Sequence, residues 1–212
     1  MKEELQNTRE EYQRGRFKLE ELRENPLQQF ADWYEAYKNQ EPTDPNAMTL
    51  ATADSDGRVS ARVILLKGLD QGGFEFYSNY KSQKGQHLSA NPQAALCFFW
   101  PEMERQVRVE GLVNELTPEE SDAYFASRPY GSQIGAWVSP QSSEIASREA
   151  LQKREENLRK QYPEKVPRPP HWGGYRLMPN RIEFWQGRPS RLHDRALYLR
   201  KDGTWRLTRL AP

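Results

Sequence analysis

The chain has 212 residues, enough for one large or two small domains with a sizeable core. Lys and Arg number 31 against 30 Asp and Glu, and the net charge of +1 gives no global pull toward nucleic acid or an anionic membrane. Mean hydropathy is −0.99 and no apolar run approaches the roughly 18 residues of a membrane span, which excludes a helical membrane protein.

The opening segment, 1–24, is charged and has little to bury, so it reads as a mobile arm. Met1 to Leu5 lacks an apolar signal region. Asn25-Pro26 then opens a helix, with a capping side chain followed by a first-turn proline. Leu27, Phe30, Trp33, Tyr34 and Tyr37 follow helical spacing along it. A β-rich block comes next. Ala47–Ala53 and Val59–Leu69 read as strands across the turn Asp54–Gly57, and Asp70-Gln71-Gly72-Gly73 turns into a strand over Phe74–Tyr80. A short helix is expected over Lys81–Ala90, ended by Asn91-Pro92. Ala94–Trp100 and Gln106–Leu116 are further strands. In the second, Gln106, Arg108 and Glu110 alternate with Val107 and Val109.

Thr117-Pro118-Glu119-Glu120 is a capping box that starts a helix carrying Tyr124, Phe125 and Arg128. Another capped helix is expected from near Ser143 to about Tyr162. Pro163–Pro170 forms a proline-rich linker. Strands over Tyr175–Trp185, Ala196–Lys201 and Trp205–Leu210 close the chain. Strands with helices inserted between them fit an α+β domain on an antiparallel barrel, not a parallel doubly wound sheet. Cys97 is the only cysteine, so no internal disulfide can form and a cytoplasmic location fits.

Chemistry concentrates in a few places. No G-x-G-x-x-G or Walker loop is present, and no Cys/His cluster has metal-ligand spacing. Any phosphate must therefore be held by side chains and scattered backbone donors. Arg62-Val63-Ile64-Leu65-Leu66-Lys67 carries a cation at each end of an apolar strand. Positions 62 and 67 have opposite parity, so they face opposite ways unless a bulge intervenes. The plainer reading is two strand-end charges in solvent. Tyr77-Ser78 ends one strand and Lys84 lies in the following helix, a common phosphate address. Tyr124 and Arg128 share a helix face and, with Ser132, can converge on one phosphate; the alternative is an arginine serving the helix dipole. Gln141-Ser142-Ser143 reads as a helix N-terminus. Of the three histidines, only His193 has a suggestive setting. It lies in Glu183–Arg195, a hairpin rim with Trp185, Arg188, Arg191 and Arg195. Such arginine forks match phosphate and carboxylate, and they also fit a solvated hairpin.

Taken together, these segments resemble the pyridoxine (pyridoxamine) 5′-phosphate oxidase family. The resemblance runs from Arg9 to Pro212. Its carriers are Arg62–Lys67, Phe76–Asn79, Glu104–Val107, Ser127–Pro129, Ser132–Ser139, Gln141–Ser143, Ile182–Gly187, Arg191–Arg195 and Arg209–Pro212. It implies an FMN-binding split β-barrel with flanking helices, in the Greek-key class. It also implies a homodimer with FMN at the subunit interface, where both chains contribute to each site. Domain organisation would be an arm over 1–24 that closes over the substrate and one barrel domain over 25–212.

By the same resemblance, FMN meets Arg62, Val63, Ile64, Leu65, Leu66, Lys67, Tyr77, Ser78, Gln83, Lys84, Gln106, Gln141, Ser142, Trp185 and Arg195. The substrate meets Arg9, Glu10, Glu11 and Tyr12 of the arm, then Lys67, Tyr124, Arg128, Ser132, Arg191, Leu192 and His193. Arg191 and His193 are the implied catalytic residues. One departure stands out: where the family commonly has a basic pair, this chain has Gln83-Lys84. A lost charged contact weakens binding by roughly 1.5–3 kcal/mol. The implied reaction oxidises a phosphorylated pyridine with dioxygen. Rival readings are a split-barrel flavin reductase with another substrate and a single-strand nucleic-acid binder, which the near-neutral charge disfavours.

Overall fold

The structure, a computed structural model, describes residues 1, 6–7, 11–70 and 72–212. Arg9 and Glu10 of the arm and Gln71 of a turn lie outside the described residues. Nine strands and five helices account for the regular structure among the described residues, together with three short 3-10 turns. The strands are β1 Ala47–Ala53, β2 Val59–Leu65, β3 Gly68–Asp70, β4 Gly73–Asn79, β5 Gln93–Trp100, β6 Arg105–Glu115, β7 Trp172–Gln186, β8 Asp194–Lys201 and β9 Thr204–Leu210. The helices are α1 Pro26–Lys38, α2 Gln83–Ala90, α3 Pro118–Ser127, α4 Tyr130–Val138 and α5 Arg148–Gln161. Strand order is β2-β1-β5-β6-β7-β4-β3, with β8 joining β7 to β9. The pairs β3–β4, β4–β7, β7–β8 and β8–β9 are antiparallel. This is the α+β class expected from the element pattern.

The chain divides into two compact units, and β1, β5, β6 and β7 run through both. The division in β7 falls between Met178 and Pro179. Residues before it pair with β4, and residues from Arg181 onward pair with β8. Pro179 has no N–H to give a ladder, so a change of partner is tolerated there.

The first unit comprises Met1–Leu50, Ala95–Gly111 and Pro179–Pro212. Its core is aromatic. Asn25 caps α1 by accepting from the Leu27 N–H at 2.9 Å, and Pro26 follows at the first turn as expected. Helical spacing then sends Phe30, Trp33 and Tyr37 inward. Phe30 meets Phe98 at 4.8 Å and Trp100 at 5.9 Å between ring centres. Trp33 meets Phe184 edge-on at 5.1 Å. Segment 11–24 contributes Phe17, which is buried and packs on Trp33, so it buries more than its charge suggested.

The second unit comprises Ala51–Ala94 and Leu112–Met178. Thr117 and Glu120 form the expected capping box of α3. Phe125, Ile134, Val138, Val166 and Trp172 make the core that joins α3, α4 and the start of β7. Two expectations are corrected here, and one helix was not anticipated. The strand expected over Val59–Leu69 stops at Leu65, and Gly68–Asp70 forms a separate short strand on β4. The helix expected from Ser143 begins at Arg148, where Ser147 accepts from the Ala150 N–H at 3.2 Å. Tyr130–Val138 is a helix that its glycines, Gly131 and Gly135, concealed.

Phe30→Ala is expected to lower unfolding free energy by about 3–5 kcal/mol, because a full ring leaves a packed cluster. Urea denaturation checks this, and a loss below about 1 kcal/mol would show that the aromatic core is not what holds α1.

Candidate functional site: a cationic cleft and an aromatic hairpin

A cleft of about 510 Å³ opens in the second unit. One wall is β2, with Arg62, Val63, Ile64 and Leu65, followed by Lys67. Strand parity put Arg62 and Lys67 on opposite faces, yet both line this cleft. β2 ends at Leu65, and the Lys67 N–H donates to the Glu75 carbonyl at 2.8 Å. The alternation itself continues through Leu66, with Arg62, Ile64 and Leu66 more enclosed than Val63, Leu65 and Lys67. The cleft takes residues of both parities, Arg62 to Leu65 in turn, so opposite parity does not keep Lys67 out of it.

Tyr77 and Ser78 from β4 and Lys84 from the first turn of α2 complete that side. Ser82 caps α2. Lys84 is buried, and its ammonium donates to Gln141 Oε1 at 2.8 Å and to Ser82 Oγ at 3.3 Å. Ser78 Oγ donates to the same Gln141 oxygen at 3.2 Å. Burial, and then the neighbouring Arg62 charge, push the Lys84 ammonium down to about 8. The Arg62 guanidinium donates to Thr52 Oγ1 at 2.8 Å and to Ser60 Oγ at 2.9 Å.

Tyr124, Arg128, Ser132 and Trp172 form the opposite wall. Arg128 was expected on a helix face with Tyr124. It is instead the residue after α3, with extended backbone at φ −73° and ψ 147°. Pro129 follows it, and the residue before proline is disfavoured in the helical region. The side chain lies over the Trp172 ring at 4.5 Å. One of its terminal nitrogens is buried with no hydrogen-bond partner among the described residues. Burial lowers the Arg128 pKa from its ordinary value. Among the described residues, no carboxylate forms an ion pair with Lys67, Lys84 or Arg128. Tyr77 stacks on Tyr124 at 3.8 Å and on Trp172 at 5.5 Å, which gives this wall a flat aromatic surface.

Some implied residues lie elsewhere in the second unit. Leu66 is buried behind β2, Gln83 is exposed and accepts from Ser60 Oγ at 3.2 Å, and Ser142 sits in a turn at φ 69°. Gln141-Ser142-Ser143 is therefore not a helix N-terminus, which corrects that expectation. Gln141 still reaches the cleft through Lys84. Trp172 was missed, because it follows a proline-rich segment and no motif marks it.

The remaining candidates lie in the first unit. Trp185 and His193 rings are 4.6 Å apart, and Tyr12 meets them at 5.5 and 5.7 Å. The Arg188 backbone N–H donates to His193 Nδ1 at 3.1 Å, which leaves Nε2 as the protonated nitrogen of the neutral ring. Burial, then Arg191 and Arg195, lower the His193 pKa from its ordinary value, which favours the neutral ring. Arg188, to which the family resemblance gave no ligand, pairs with Asp194 at 3.5 Å and donates to the Gly15 carbonyl at 3.1 Å. A Cβ on Gly187 would come within 2.7 Å of Tyr12 Cγ, so glycine there permits the ring's close approach. Arg195 Nε donates to Glu183 at 2.9 Å, and another of its nitrogens donates to the Ala211 carbonyl at 2.8 Å. Arg191 and Leu192 are exposed, with Arg191 at φ 60°; Glu11 is exposed and Gln106 half-buried.

An antiparallel sheet protein with a cationic, aromatic-walled cleft has the chemistry to hold a flat, anionic ligand. Comparison with known proteins sharpens that class. The family described as "Pyridoxamine 5′-phosphate oxidase" matches residues 35–162, and "Pyridoxine 5′-phosphate oxidase C-terminal dimerisation region" matches 172–212. The chain is 56% identical to the pyridoxine/pyridoxamine 5′-phosphate oxidase of Paraburkholderia phymatum, over 98% of this chain and 99% of the relative. It is 52% identical to that of Cupriavidus necator, with the same coverage. Among solved structures, PhzG of Burkholderia lata 383, in complex with tetrahydrophenazine-1-carboxylic acid, superposes with a TM-score of 0.87 at 32% identity. That match covers 92% of this chain and 96% of PhzG. A pyridoxamine 5′-phosphate oxidase-related, FMN binding protein of Nostoc punctiforme shares the fold, with a TM-score of 0.70 at 19% identity over 86% and 96% of the chains. The chain belongs to the pyridoxine/pyridoxamine 5′-phosphate oxidase family and has its split β-barrel fold, with FMN as the family cofactor. The match over 172–212 supports a homodimer.

The residues present fit that cofactor. Arg62 and Lys84 lie close enough to depress the Lys84 pKa, beside the neutral donor Ser78, and the cleft has an aromatic wall. A phosphate placed beside Lys84 would hold its proton, whereas the ligand-free protein loses it as pH rises through about 8. FMN affinity should therefore fall above pH 8, by up to about tenfold per pH unit for one coupled proton. Flavin fluorescence titrations across pH 7–10 check this. Lys84→Met should flatten the profile, and an unchanged profile in that variant would reject Lys84 as the titrating group.

Proposed function

We propose that the protein oxidises pyridoxine 5′-phosphate or pyridoxamine 5′-phosphate at C4′, giving pyridoxal 5′-phosphate. The observation that carries this reading is the buried Arg128 nitrogen without a partner, in a cleft it shares with Lys67, Tyr124 and Ser132. A phosphate satisfies that nitrogen and offsets the charges around it. FMN, when bound, supplies the hydride acceptor at N5 and delivers the electrons to dioxygen as hydrogen peroxide. The alcohol thereby loses two electrons and two protons to become the aldehyde; the amine requires a water and releases ammonia.

The chain's own groups do the positioning. Arg62, Lys84, Ser78 and Gln141 hold the flavin side, and Lys67, Tyr124, Arg128 and Ser132 clamp the substrate phosphate with charge-assisted bonds. Binding energy at that remote phosphate fixes the reacting carbon in place. In the dimer, one chain supplies the cleft and its partner supplies the hairpin with Trp185, Arg191, His193 and Arg195. Neutral His193 offers Nε2–H as a donor to the polar edge of the pyridine, and Arg191 presses on its face. Tyr12, already against Trp185 and His193, makes the arm the cover of that site. The free Cys97 suits a reducing cytoplasm. Among the described residues, no helix is long and apolar enough to cross a membrane.

A second reading draws on PhzG, whose bound ligand carries a carboxylate. Arginine forks accept carboxylate as readily as phosphate. The visible spectrum of the purified protein decides between them. Anaerobic pyridoxine 5′-phosphate should bleach a flavin spectrum, and air should restore it with peroxide release. Bleaching by a dihydro-aromatic acid and not by pyridoxine 5′-phosphate would favour the second reading.

Arg128→Ala is expected to raise KM for pyridoxine 5′-phosphate by about tenfold or more, the loss of one charged hydrogen bond. Steady-state kinetics with an unchanged KM would remove Arg128 from the clamp. Arg191→Ala should slow anaerobic flavin reduction in stopped flow while FMN stays bound, and an unaltered reduction rate would reject its catalytic role.

A further inference from the structure

Arg62 stands at the head of two hydrogen-bond relays that lead away from the cleft. On one side its guanidinium donates to Thr52 Oγ1 at 2.8 Å, and Thr52 Oγ1 lies 3.2 Å from His87 Nδ1. Thr52 and His87 are both buried. On the other side it donates to Ser60 Oγ at 2.9 Å, and Ser60 donates to Gln83 Oε1 at 3.2 Å. A guanidinium only donates, so each hydroxyl must turn a lone pair toward Arg62. Its own proton is then left for another acceptor: the Gln83 amide oxygen on one side and, in the tautomer protonated at Nε2, His87 Nδ1 on the other. Each outer acceptor thus fixes the rotor of the hydroxyl that holds Arg62. Neither His87 nor Gln83 lines the cleft.

We propose that Thr52–His87 and Ser60–Gln83 are positioning pairs that orient Arg62 toward the anionic end of the cofactor. Gln83 consequently acts on the flavin through Arg62 and not by touching it. Its departure from the family's basic pair acquires a physical meaning: an arginine at 83 cannot accept from Ser60, whereas glutamine can. This rests on the reading of Arg62 as a cofactor-phosphate ligand, and the experiment separates the two.

FMN dissociation constants of the full-length protein, from flavin fluorescence quenching, are measured for Gln83→Leu and Thr52→Val in the native and the Arg62→Ala backgrounds. Thr52→Ser serves as the hydroxyl-retaining control. Arg62→Ala should weaken FMN about tenfold or more. Gln83→Leu and Thr52→Val should each weaken it about two- to tenfold in the native background. Neither should add anything once Arg62 is alanine, and Thr52→Ser should keep native affinity. An undiminished effect in the Arg62→Ala background, or no effect in the native one, overturns the positioning role. If Arg62→Ala itself leaves affinity unchanged, the functional reading of Arg62 fails and the positioning role falls with it. Should Thr52→Val not fold, the exposed Gln83 decides alone.

Discussion

Confined positive charge is the constraint on which the rest of the site depends. Lys84 and Arg128 are held in a half-enclosed cleft with no carboxylate partner among the described residues, and Arg62 raises the potential at Lys84. Like charges near a protein surface repel by about 4 kcal/mol at 4 Å separation. The protein tolerates this because each cation has something neutral to hold it. Lys84 has Gln141 and Ser82, Arg128 has the Trp172 ring, and Arg62 has two hydroxyls. Those contacts orient the cations without neutralising them. An anion that enters gains the whole field, which favours an anionic ligand there.

Small backbone events aim these charges. β2 ends at Leu65, and Lys67, held by its N–H on the Glu75 carbonyl, lines the same cleft as Arg62. Pro129 holds Arg128 out of the helix and over Trp172. Ser82 caps α2 and fixes where Lys84 leaves the chain. In the other unit, Arg188 ties the hairpin to the arm at Gly15, and Gly187 admits Tyr12 beside it. Each event lies at the end of a regular element, where rigid strands and helices hold a side chain in one direction.

Much of the framework was legible in the residues. Asn25-Pro26 and the Thr117 capping box mark helix starts by side-chain chemistry that acts within one turn, and both were read correctly. The alternation of Val107 and Val109 with Gln106 and Arg108 is likewise a local signal. What stayed hidden depends on distant partners. Helix α4 has glycines at 131 and 135 and no capping side chain, so packing and not propensity makes it a helix. The stacking of Arg128 on Trp172 spans residues far apart in the chain. Ser143 and Ser147 look equally good as caps, and only the fold selects the second. The relay from Arg62 to Gln83 could not be read either, because strand parity says nothing about hydroxyl rotors.

The central claim is that the cleft is built for a phosphate-bearing flavin. Isothermal titration of the FMN-stripped protein with FMN and with riboflavin at pH 7 tests it most directly. The two differ only in the phosphate, so the account predicts at least about 100-fold tighter binding of FMN, the worth of charged hydrogen bonds to two cations. Equal affinity for the two flavins would contradict it.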